Sequence, residues 1–204
     1  MQPIKKQSRN PNHPKAGSSI KVNPITELSA IKRIKRQLAN NPRDLCLFTL
    51  GINTAYRANE LVSIKVGQVD HLKVQDRLDL KQSKNKKYRS ATLNVNAIEA
   101  IQNWLKVHPQ KHPDAPLFIS GKTKLALNSV TVTNMVKTWC SKAGLRGNFG
   151  SHTLRKTWGY HQRKTFHRPT VLLTQAYGHS SEAQTLAYLC IQREEIDALY
   201  SSAL

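Results

Sequence analysis

Arg57, His152, Arg155, His179 and Tyr188 are far apart in this chain, yet their types and order suit one reaction, attack of a phenol on a phosphodiester. The histidines and the second arginine lie in two short strings, Ser151-His152-Thr153-Leu154-Arg155-Lys156-Thr157 and Tyr177-Gly178-His179, the latter followed nine residues on by Tyr188. Arg57 lies far upstream, between Gly51 and Leu61. Two guanidiniums can hold phosphate oxygens through paired hydrogen bonds without losing charge. A phenol is a weak nucleophile at neutral pH, since with a pKa of about 10 only about one part in a thousand is ionised. Neighbouring arginines are expected to lower that pKa, and a histidine can accept the proton in the transition state.

Each string has a plainer reading as well. His152 and Arg155 are three apart and share a face if helical, with Ser151 expected as the N-cap. A helix N-terminus aimed at a phosphate would add its own partial positive charge. With Lys156, Arg163 and Lys164 nearby, the same stretch also reads as a basic amphipathic helix. Glu60 either clamps Arg57 or forms an ordinary surface pair with it. His179 falls in a turn, before Ser180 or Ser181 caps the next helix, and Tyr188 beside Leu186 and Leu189 equally fits a core position.

The elements that must position these groups are mostly helices. Leu28, Ile31, Ile34 and Leu38 repeat at helical spacing, and Pro42 opens a second helix that ends near Gly51. A short helix is expected over 58–64, and others over 97–107, 129–143, 152–164, 169–177, 182–189 and 194–202. Residues 78–82 and 88–93 alternate as strands around a polar turn, and His71–Val74 is expected as a third. The fold class expected is α+β, a mainly helical domain with a small three-stranded antiparallel sheet.

With 32 Lys+Arg against 12 Asp+Glu, the formal charge is +20 over 204 residues. A domain this basic calls for a polyanionic partner, nucleic acid before an anionic membrane. No segment approaches the roughly 20 apolar residues of a membrane span, and the N-terminus has no signal-peptide core. Cys46, Cys140 and Cys190 are odd in number and scattered, with no metal-ligand spacing, so neither a disulfide framework nor a zinc site is indicated and a reducing cytoplasmic setting is expected. Residues 1–24 are basic and proline-rich with no acid, and are expected to be a flexible arm that either tracks DNA phosphates or only solubilises the chain. Residues 25–204 form the remaining domain.

Arg57-x-x-Glu60-Leu61, Ser151-His152-Thr153-Leu154-Arg155, Gly178-His179-Ser180-Ser181 and Thr185-x-x-Tyr188-Leu189 together resemble the signature of the tyrosine recombinase (phage integrase) family. The resemblance implies a catalytic domain in which Tyr188 attacks the scissile phosphate, forming a 3′-phosphotyrosyl link and freeing a 5′-hydroxyl. It implies that Arg57 and Arg155 neutralise the non-bridging oxygens, His152 assists proton transfer and His179 hydrogen-bonds the phosphate. It also implies a hairpin-turn lysine that protonates the departing oxygen; Lys84 best matches that position, with Lys86 and Lys87 in the same turn. No cofactor and no metal are implied, fixed cations doing the work of a bound magnesium. The implied partners are double-stranded DNA, further copies of the chain in a homotetramer assembled on DNA, and accessory DNA-bending proteins. A C-terminal helix bearing Ile196, Leu199 and Tyr200 is expected to dock either on a neighbouring protomer or on its own core.

Two departures stand out. Only about 24 residues precede the catalytic region, where many members carry a further DNA-clamping domain, so the chain is similar to the short recombinases that invert fimbrial promoter elements. Tyr177 stands where leucine is more usual. The outcome expected is integration, excision or inversion of DNA. A type IB topoisomerase-like relaxing enzyme and a catalytically inactive DNA-binding or accessory protein are the alternatives.

Overall fold

The structure, a computed structural model, describes residues 21–81 and 88–201. Nine α-helices are found among them: α1 (Leu28–Gln37), α2 (Pro42–Gly51), α3 (Ala58–Val62), α4 (Val95–Val107), α5 (Ser129–Lys142), α6 (Ser151–Lys164), α7 (Thr170–Tyr177), α8 (Glu182–Leu189) and α9 (Gln192–Tyr200). One hairpin, β1 (Arg77–Lys81) and β2 (Tyr88–Thr92), stands between α3 and α4.

Polar side chains set several of the helix starts. Asn41, Asn94, Asn128 and Ser181 each accept the backbone N–H three residues ahead, at 3.2, 3.0, 2.8 and 3.1 Å, satisfying a donor the helix leaves open. For α6 the cap is Gly150 rather than the expected Ser151, and the Thr153 hydroxyl accepts from the Gly150 N–H at 3.1 Å.

α2 is apolar on nearly every side and lies at the centre, packed against α3, α4 and α6. Its Cys46, Leu47, Phe48 and Leu50 are sealed from solvent among Ile34, Leu61, Ile98, Ile101 and Val136. Each such aliphatic or aromatic side chain contributes about 1.5–3 kcal/mol by leaving water. A smaller core joins Ala55, Leu173, Tyr177, Leu189 and Ile191, and it lies under the candidate site.

The sheet has two strands, antiparallel, with Leu78 opposite Ala91 and Leu80 opposite Arg89. The third strand expected at His71–Val74 is a turn. The Asp76 carboxylate accepts the Lys73 N–H at 2.8 Å and the Lys73 carbonyl accepts the Asp76 N–H at 3.0 Å, so local bonds replace ladder bonds. Gln75, at φ 75°, then reverses the chain.

Of the expected arm, residues 21–24 bond to the loop ahead of α6. Asn23 N–H donates to the Asn148 carbonyl at 2.7 Å, and the Asn148 amide donates to the Lys21 carbonyl at 3.0 Å. Residues 1–20 lie outside the described residues. Cys46 and Cys140 are core residues and Cys190 is exposed. No helix among the described residues is long and apolar enough to cross a membrane. On α9, Ile196, Leu199 and Tyr200 are 45, 73 and 86% exposed, and an Arg163–Glu195 ion pair of 3.2 Å ties the helix to α6.

Candidate active site

The C-terminus of α7 is the hub of the site. Gly178 ends that helix at φ +64°, a left-handed conformation that glycine adopts without strain, and turns the chain toward His179. The carbonyls left open at a helix C-terminus carry partial negative charge and attract cations. Two buried guanidiniums meet them. Arg155 Nη2 donates to the Tyr177 carbonyl at 3.0 Å, and Arg89 donates through Nη1 to Ala176 at 2.8 Å and through Nη2 to Tyr177 at 3.1 Å.

Arg155, on α6, is 2% exposed. Its Nη1 donates to the carbonyl of Ala55, a residue held at φ 58° where alanine is disfavoured. Its Cζ sits 4.4 Å from the Tyr177 ring centroid. Burial lowers its pKa to about 10, and the Arg89 charge adds to that. The guanidinium thus stays charged at neutral pH while remaining under-hydrated, a condition that favours capture of an anion.

Arg57 precedes α3, and Glu60 in that helix's first turn holds both its backbone and its side chain. Its Oε2 accepts the Arg57 backbone N–H at 2.7 Å, and its Oε1 accepts from Arg57 Nη1 at 2.9 Å. Arg89 Nε approaches the same Oε1 at 3.7 Å. Two guanidiniums therefore share one carboxylate that is 3% exposed, and with Arg155 nearby positive charge is in excess.

Tyr188 on α8 is half-buried, with its hydroxyl 3.4 Å from His152 Nδ1. His179 packs edge-on to the phenol, ring centroids 5.3 Å apart. Its Nδ1 lies 3.0 Å from the Thr185 hydroxyl, which in turn meets the Thr174 hydroxyl at 2.9 Å. Burial, then the charges of Arg155, Arg57 and Arg89, depress His179 to about 4. His152, exposed at the mouth, is shifted the same way by partial desolvation and then by Arg155, Arg57 and Lys156. Both imidazoles are neutral at pH 7, so each keeps a nitrogen able to accept a proton.

The sequence-based expectation for the phenol is reversed. Burial raises the pKa of Tyr188, and the opposing effects of Arg155, Arg57 and Arg89 do not overcome it. Taking the oxyanion out of water costs more than nearby cations return, so the phenol is protonated at neutral pH.

The structure thus brings Arg57, His152, Arg155, His179 and Tyr188 to one place. Lys84, with Lys86 and Lys87, lies outside the described residues; β1 and β2 pair at Lys81 and Tyr88. Three participants escape the sequence reading. Arg89 is 7% exposed, and its signal is an inward place in the β2 alternation, opposite Leu80. Lys156 is not part of a solvated basic face. It is 5% exposed, its Nζ 5.0 Å from the Tyr188 ring centroid and 3.3 Å from Cys190 Sγ. The Ala55 carbonyl carries no sequence signal.

Comparison with known proteins places the chain in a class. A model of the phage integrase family matches residues 25–195, and the chain belongs to that family. It is 31% identical over 183 residues to the probable integrase/recombinase YoeC of Bacillus subtilis (strain 168), covering 88% of this chain and 95% of that protein. It is 25% identical over 161 residues to tyrosine recombinase XerC of Actinobacillus pleuropneumoniae serotype 7 (strain AP76), covering 79% of this chain and 51% of that protein, about half of that relative's length. The fold is shared with the XerA recombinase (TM-score 0.71, 18% identity, 89% of this chain and 67% of that one). It is shared equally with XerH site-specific recombinase bound to its palindromic difH substrate in a post-cleavage complex (TM-score 0.70, 22% identity, 90% of this chain and 54% of that one).

Proposed function

We propose that this protein is a site-specific DNA recombinase that cleaves and rejoins strands through a 3′-phosphotyrosyl intermediate. The observation that carries the proposal is the Tyr188 hydroxyl 3.4 Å from a neutral His152 Nδ1, beside the under-hydrated guanidinium of Arg155. The Tyr188 oxygen attacks phosphorus and its proton passes to His152. The bond from phosphorus to the 5′-oxygen breaks, and that oxygen leaves as a hydroxyl after protonation by Lys84. Arg57 and Arg155 take the non-bridging oxygens, where donors held in place before charge develops are most effective. His179 donates a hydrogen bond to the phosphate. Attack by a 5′-hydroxyl of another strand reverses the chemistry and completes exchange, the ester having conserved the bond energy.

Double-stranded DNA is the partner proposed, with residues 1–24 as a basic arm and residues 25–204 as the catalytic domain, acting in a cytoplasmic setting. The exposed Ile196, Leu199 and Tyr200 favour docking of α9 between protomers in a homotetramer on DNA, with accessory DNA-bending proteins shaping the assembly. Integration, excision or inversion is the outcome.

The test uses nicked duplexes drawn from the DNA flanking the gene, in which cleavage releases a short fragment and traps the covalent adduct. The wild-type chain is expected to form a protein–DNA adduct and Tyr188→Phe none. An adduct retained in Tyr188→Phe overturns the nucleophile, and a wild type that forms none across those duplexes overturns the reading.

A further inference from the structure

Tyr177 takes no part in the chemistry above, yet its fully buried ring touches three groups that do. The Arg155 guanidinium lies over its face at 4.4 Å, His179 stacks on it at 5.0 Å with 21° between the rings, and Tyr188 meets it edge-on at 5.3 Å and 68°. Its hydroxyl donates to the Arg155 backbone carbonyl at 2.8 Å, so the same arginine is gripped at both ends. The contact of the Tyr177 carbonyl with Arg155 would survive any substitution; the three ring contacts would not.

The site has space reserved for this ring. Gly159 lies on α6 one turn after Arg155, and a Cβ there would stand 2.0 Å from the Tyr177 hydroxyl oxygen and 2.8 Å from Leu189 Cδ2. Glycine inside a helix is disfavoured relative to alanine, so its presence calls for a local reason, and the phenol that fills the notch is one.

We propose that Tyr177 is a positioning residue: its ring sets the placement of the Arg155 guanidinium, the His179 imidazole and the Tyr188 phenol relative to one another, and Gly159 is the notch that admits it. The proposal rests on the recombinase reading. It predicts an effect on the cleavage step rather than on DNA affinity, because the ring lies behind the reacting groups and not on the DNA surface.

The experiment measures single-turnover cleavage of a nicked duplex at saturating protein, alongside the dissociation constant for the same duplex. Both are read at a temperature where circular dichroism shows each variant folded. Tyr177→Leu is expected to cleave about 10²-fold more slowly, the cost of misplacing reacting groups by about an ångström, with unchanged DNA affinity. Tyr177→Phe, which keeps the ring, is expected to cleave close to the wild-type rate. Gly159→Ala is expected to slow cleavage by displacing the ring, and to add no loss in a Tyr177→Leu background, as two changes acting on one contact are not additive. A purely structural tyrosine would lower the melting temperature and leave the rate of the folded variant intact. Wild-type cleavage by Tyr177→Leu overturns the proposal, and so do losses that sum in the double variant. Should Tyr177→Leu fail to fold, Gly159→Ala decides, and undiminished cleavage by it overturns the proposal. If the wild type forms no adduct, the recombinase reading fails and this inference falls with it; an active wild type with an equally active Tyr177→Leu defeats this inference alone.

Discussion

Arg89 and Arg155 donate to the same acceptor, the carbonyl oxygen of Tyr177, at 3.1 and 3.0 Å. The two reach it from a β-strand and from α6, and the shared oxygen belongs to the last residue of α7. Three elements distant in sequence are thereby locked together by one peptide group, where the helix end concentrates negative partial charge.

Arg89→Met removes the donor to Ala176 and one of the two donors to Tyr177 while keeping much of the side-chain bulk. A loss of about 1–3 kcal/mol in stability is expected, the range for buried polar groups left unpaired. Arg89→Lys is expected to recover little, because an ammonium lacks the planar fork that spans both carbonyls. Urea denaturation of the three proteins measures this, and equal midpoints would refute it.

Arg155→Ala is expected to slow cleavage by about 10²–10³-fold, as loss of one preorganised donor does at other anionic transition states. Arg155→Lys should fare no better than alanine, since the guanidinium bonds through two separate nitrogens to Ala55 and Tyr177. Single-turnover rates on a nicked duplex provide the measurement.

Glu60→Gln keeps the shape but removes the negative charge shared by Arg57 and Arg89. Stability is expected to fall by about 1.5–3 kcal/mol, the scale of hydrogen bonds to a charged group. Cleavage should also slow, because the bond that directs Arg57 is weakened. Chemical denaturation and cleavage kinetics on the same preparation test both effects.

His179 makes stability depend on pH with a definite sign. Its pKa is about 4 when folded, set first by burial and then by Arg155, Arg57 and Arg89, against about 6.5 when unfolded. As pH falls the unfolded chain binds the proton first. The stabilisation is therefore whole above about pH 6.5 and is lost as pH falls through about 4. His179→Gln should flatten the fall in melting temperature across that window. An unchanged slope in the variant, read by calorimetry, would show that another group controls it.

The net charge of +20 requires DNA affinity to fall steeply with salt, by about 0.9 log units per phosphate neutralised for each tenfold rise. Fluorescence anisotropy across a salt series gives the slope, and a flat response would contradict a phosphate-tracking surface.

Much of this fold could be read from local chemistry. Helices over 42–51, 129–142 and 182–189 lie where proline, asparagine, serine and the apolar spacing place them. The hairpin strands follow from their alternation, whereas His71–Val74 is a turn because Asp76 offers the backbone a nearer partner than a neighbouring strand. Ser151 was expected to cap α6 from residue type alone, but the cap falls on Gly150 through the Thr153 hydroxyl.

The residue types behind the proposed chemistry are legible in the sequence and its order, because a phenol, imidazoles and guanidinium forks are properties of side chains that no fold can supply. What tertiary structure decided is which cations are buried and what that does to charge. Lys156 and Arg89 look like surface residues in a basic chain, and only packing of α8 and of the hairpin takes them out of water. The direction of the Tyr188 shift was likewise out of reach, since it is a balance between desolvation and nearby charge, and both depend on distances that sequence separation does not encode. Tyr177 reads as a packing residue in the sequence; its contacts with Arg155, His179 and Tyr188 arise only where the end of α7 meets α6 and α8.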